Sequence, residues 1–142
     1  MKPAIKQAVL HVAIALALAV LGGILITHTL SCLGLEDGSS RAVAAFRALT
    51  FIGTPLCVLA IRAFSPSGGR MKSWVYGVAW FWLFANMAAA FEPVNPGVDD
   101  RGVILGVLLF GWIGGVACVA LVLVPYELIQ RRRHGRQTRA TE

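Results

Sequence analysis

The chain has 142 residues, 57% hydrophobic and only 14% charged, with a formal net charge of +6. Soluble domains average about 25% charged residues, so a single water-soluble core of this size cannot hide so much apolar surface, and lipid has to cover part of it. The basic residues lie in patches beside apolar runs, which fits membrane orientation and argues against nucleic acid as a partner.

Four apolar runs predict an all-α integral membrane protein, a four-transmembrane-helix bundle. They cover residues 8–29, 42–63, 73–91 and 102–124. Each is close to the ~20 residues that a helix needs to cross the hydrocarbon layer. Residues 1–127 then form one four-span domain, and 128–142 a basic tail.

The first run is longer than the apolar core of a signal peptide, so it reads as a span. Small residues repeat along it at Ala15, Ala19 and Gly23, a stripe that lets another helix approach closely. Near its end His28 and Cys32 are four residues apart and share a helix face. They are weak candidates for a metal such as zinc or copper, with Glu36 and Asp37 following. His11 lies about 25 Å from His28 along the axis, so the two cannot ligate one haem iron. No cofactor is expected.

Gly34, Gly38, Ser39 and Ser40 break the chain before the second run. Arg47 lies about one and a half turns beyond Arg41, at a depth where an ionisable group is costly. The expected partner is Glu92, with Asp99 or Asp100 as substitutes, and Arg47 and Glu92 become candidates for a structural or ligand contact. Pro55 follows Thr54 and should kink this helix.

The third run follows Ser65-Pro66-Ser67-Gly68-Gly69 and is aromatic, with Trp80, Phe81, Trp82 and Phe84. Rings of this kind pack between helices or bind lipophilic cations. Asn86 is its deep polar group, expected to bond between helices or to contact a ligand. Pro93 and Asn95-Pro96-Gly97 end the segment.

The fourth run carries Gly102, Gly106, Gly111 and Gly115, two pairs at the spacing of helix-packing motifs. They suit packing inside the bundle or against a second copy. Beyond it Arg131, Arg132 and Arg133 fall where lipid headgroups should lie, and Glu127 is placed to pair with Arg62.

Ten Lys or Arg lie on the side of the two termini and the middle connection, and three (Arg41, Arg47, Arg101) on the other. The positive-inside rule puts both termini in the cytoplasm. Cys32, Cys57 and Cys118 form no C-x-x-C pair, so neither a zinc ribbon nor a redox dithiol is supported. Four short spans are similar in size to the small multidrug-resistance transporters, but residues 8–29 hold no Asp or Glu to match the acidic residue of that family's first span. The expected function is therefore non-enzymatic: an assembly subunit, a regulator or an immunity-type protein working through protein or lipid contacts. The alternative is a small transporter or an oligomeric, holin-like pore.

Overall fold

The computed structural model describes residues 3–34, 40–65, 69–92 and 101–139, with side chains described for 5–34, 40–65, 69–92 and 101–132. It is all-helical: α1 (Pro3–Cys32), α2 (Ser40–Ala48), a π turn (Leu49–Gly53), α3 (Thr54–Phe64), α4 (Gly69–Ala90) and α5 (Arg101–Arg139). α2, the π turn and α3 run on as one rod, so the chain makes four rods. Three of them are long and apolar enough to cross a membrane: Ile5–Cys32, Ser40–Phe64 and Arg101–Arg132. α4, with 22 residues, has the length. Its apolar character is diluted by Arg70 and Lys72 at its start and by Trp, Tyr and Asn along it.

Gly34 closes α1 at φ 67°, the left-handed conformation that glycine adopts at least cost. Its N–H donates to the Ser31 carbonyl at 3.1 Å. The proline in the second rod is accommodated by the π turn rather than by a bare kink. A proline ring collides with the carbonyl four residues back, and widening the turn ahead of Pro55 makes room for it. Thr50 and Thr54, both buried, donate to the Phe46 and Thr50 carbonyls at 2.8 and 2.6 Å. These hydroxyls supply partners on a backbone that the proline disturbs. The last rod continues well past the expected limit of residue 124, through Pro125, and carries the basic segment as helix to Arg139.

α4 is the hub. α1, α2, the π turn, α3 and α5 all pack on it, and α3 also meets α5. Near the Arg47 end, Val43, Phe46, Phe84, Ala88 and Phe91 form one apolar cluster, with Ile26 and Leu30 of α1 against it. Near the basic end, Val58, Val119 and Leu123 form a second, flanked by Trp74 and Val78. Gly77 of α4 lies where α3 and α5 converge on it: a Cβ there would come within 2.6 Å of Val58 and 2.9 Å of Val119. On α1 the stripe Ala15, Ala19 and Gly23 is buried, and Gly23 faces Leu83 and Met87.

The four glycines of α5 divide. Gly115 approaches α4 closely, its position for a Cβ lying 3.2 Å from the Val78 carbonyl oxygen, while Gly111 meets Trp82 at an ordinary 3.6 Å. Gly102 and Gly106 do not pack within the chain: among the described residues nothing lies within 4 Å of a Cβ built there. Of the two expected uses of that first pair, packing inside the bundle is not seen among the described residues, and packing against a second copy stays open. The pair's spacing is right, but no described helix stands opposite it.

Candidate functional site: a lateral groove and its polar ends

α1 and α5 both lean on α4 without packing on each other to any extent. Between them one face of α4 stays open as a groove along the bundle. Toward the basic end it encloses about 480 Å³, with Val12, Leu16, Ala79, Trp74, Trp82 and Trp112 in its walls. Toward the Arg47 end a second stretch of about 510 Å³ includes Thr27, His28, Asn86, Met87 and Leu108. Trp82 lines both stretches. Val12, Leu16 and Trp112 are 45%, 52% and 52% exposed, so the groove opens sideways rather than along the axis.

Two of its rings are pinned. The Trp82 indole N–H donates to the Leu108 carbonyl at 3.0 Å, and that of Trp112 to the Leu109 carbonyl at 2.8 Å. Trp80 points away from the groove and donates to the Leu49 carbonyl in the π turn at 3.0 Å. Gly53 makes that reach possible, since a Cβ there would stand 2.8 Å from the indole nitrogen.

At the Arg47 end the structure joins Arg47 to Glu92, with Nη2 2.5 Å from Oε1. Both side chains are about half exposed, so in water such a pair contributes only ~0.2–1 kcal/mol. Asp99 and Asp100, the expected substitutes, lie outside the described residues. His28 Nδ1 is 3.2 Å from Cys32 Sγ, a contact that one helix turn provides by itself. Glu36 and Asp37 also lie outside the described residues, and among the described residues no three His, Cys, Asp or Glu come together.

Asn86 lines the groove, but its amide donates to the Trp82 carbonyl of its own helix at 2.7 Å. The side-chain bond described for Asn86 thus stays within its own helix, where a bond between helices was expected. At the basic end the expected Glu127–Arg62 pair is replaced. Arg70 Nε lies 3.1 Å from Glu127 Oε1, while the Arg62 guanidinium stands 5.9 Å from the centre of the Tyr126 ring. The Arg70 contact is an ion pair without an aligned hydrogen bond, since Glu127 Oε1 has no hydrogen-bond partner among the described residues. His11 Nδ1 and the Tyr76 hydroxyl meet at 3.2 Å, a link between α1 and α4 that spacing along the chain does not signal. Arg131 and Arg132 are exposed near the end of the apolar part of α5, and the side chain of Arg133 lies outside the described residues.

The chemistry on offer is thus recognition: an apolar trough, rigid indole walls and cations at one end. The chain matches no protein-family model, no curated protein and no solved structure.

Proposed function

We propose that the chain is a four-span protein of the inner or plasma membrane, with both termini cytoplasmic, acting without catalysis through contacts in the plane of the bilayer. An assembly subunit, a regulator or an immunity-type protein works in this way. The observation that carries the reading is the groove, an apolar recess facing sideways, where a lipid or a neighbouring protein meets the bundle. The charge distribution supports the orientation: ten of thirteen Lys and Arg belong to the two terminal segments and the middle connection of the sequence. α4 completes the four spans, since its Trp and Asn side chains bond to backbone carbonyls of its own and neighbouring helices, which lowers the cost of placing them in lipid.

The alternative of a transporter or oligomeric pore has one observation in its favour, the uncovered Gly102 and Gly106 stripe that a second copy would cover. Purification from native membrane in mild detergent, with mass spectrometry of what co-elutes, separates the two. A stoichiometric protein or retained lipid is expected. A bare oligomer that passes ions or dye in liposomes would overturn the contact reading.

A further inference from the structure

We propose that the half of the groove nearer the basic end holds an acyl chain of an anionic phospholipid of the cytoplasmic leaflet, with its phosphate on the Lys72 ammonium. The inference rests on the membrane-spanning reading above. Val12 and His28, near the two ends of the groove, are sixteen residues apart on α1, or about 24 Å. The groove therefore runs through most of the ~30 Å hydrocarbon layer, and its basic half lies in one leaflet. That half is walled by aliphatic side chains and three tryptophans, so its occupant is hydrocarbon.

The choice between a lipid chain and a neighbour's helix follows from the walls. Helices dock in membranes on small residues that let backbones approach. Here Trp74, Trp82 and Trp112 project instead, and two of them are held by hydrogen bonds to carbonyls. Fixed rings with gaps between them admit a flexible chain and keep a helix off.

The charge at the mouth identifies the headgroup. Lys72 precedes Val75 and Ala79, both in the groove, by three and seven residues, so it shares their face of α4. It is half-buried. Arg70 is engaged with Glu127 and Arg62 lies over Tyr126. Lys72 has no ion-pair partner among the described residues. It stands one turn below the groove at the depth of the headgroups. A negative phosphate placed there completes the arrangement, with its chain lying along the tryptophans.

The test uses the chain's own fluorescence, because three of its four tryptophans line this half of the groove. The full chain is reconstituted in phosphatidylcholine vesicles. Equal mole fractions of brominated phosphatidylcholine or brominated phosphatidylglycerol are then introduced as quenchers. The brominated phosphatidylglycerol is expected to associate about fivefold more strongly, the ratio that one basic group gives on an anionic headgroup. Lys72→Gln should bring that ratio close to one, and Ala79→Leu, which fills the floor, should weaken quenching by the anionic lipid with Lys72 intact. Equal quenching of the wild type by both lipids would overturn the site, as would a preference that survives Lys72→Gln or quenching untouched by Ala79→Leu. Quenching by neither lipid would instead overturn the membrane reading on which the site depends.

Discussion

Replacing Gly77 with Ala probes the closest approach at any described glycine of the bundle. The added Cβ would stand 2.6 Å from one methyl of Val58 and 2.9 Å from one methyl of Val119. Both valines are fully buried, and β-branching leaves them stiff about χ1. Neither methyl can swing aside, so α3 or α5 has to move. Overpacking of this kind costs ~1–3 kcal/mol, while alanine returns up to ~1 kcal/mol through its better helix propensity. The net loss is then ~1 kcal/mol. Gly106→Ala is the matched control, because nothing described lies within 4 Å of its Cβ. It retains the propensity gain and carries no clash. Unfolding in one mild detergent on titration with SDS, followed by circular dichroism, should separate the two variants by ~1–3 kcal/mol. Val58→Ala in the Gly77→Ala background should recover part of the loss, because it removes the nearer methyl. Equal stability of the two glycine variants, or losses that simply add in the double mutant, would refute the packing argument.

The same unfolding assay tests three further points. The Arg47→Ala, Glu92→Ala cycle should return a coupling of ~0.2–1 kcal/mol that shrinks with salt, as expected for a half-exposed pair; strictly additive losses would remove the pairing. Trp80→Phe should cost ~1 kcal/mol through the lost bond to Leu49. Gly53→Ala should be costly with Trp80 present and mild in the Trp80→Phe background, and an equal cost in both would refute their contact. Asn86→Leu should lower stability by less than ~1 kcal/mol, since its amide bonds within its own helix; a larger loss would reveal a partner on another helix.

How much of this was legible in the sequence depends on which coordinate is asked for. The length of an apolar run fixes depth along a helix. Depth alone sufficed to name Arg47 and Glu92 together, each near the same end, and to give Gly34 its place after α1. Run length does not fix which way a helix faces. Gly102 and Gly106 have the spacing of a packing motif, yet among the described residues nothing meets them, while Gly114 and Gly115 take the contact with α4. The His11–Tyr76 link was hidden for the same reason, because residues 65 apart meet only after the order of the rods around α4 is known. The π turn was half visible. Pro55 announced a disturbance, but not that Trp80 of another helix would take the Leu49 carbonyl within it.

Polar links of this kind account for the central place of the least apolar rod. Between helices in lipid, one hydrocarbon contact is nearly as good as another, and polar links worth roughly 0.6–2 kcal/mol each decide which neighbours meet. Apart from Arg62 of α3 over Tyr126 of α5, the described polar links between rods run through α4 or through Glu92, two residues past its end. Tyr76 meets α1 through His11, Ser73 donates to Val58 of α3 at 3.4 Å, Trp80 reaches the π turn, Trp82 reaches α5, and Glu92 holds Arg47 of α2. The hydroxyls and indoles that make α4 a poor span when judged alone give it its bonds to the other rods. A more apolar α4 would specify its neighbours less well. The cost of its polarity is met only at the centre, where carbonyls and small residues of the surrounding rods are within reach, so the same residues that lower its hydropathy also place it there.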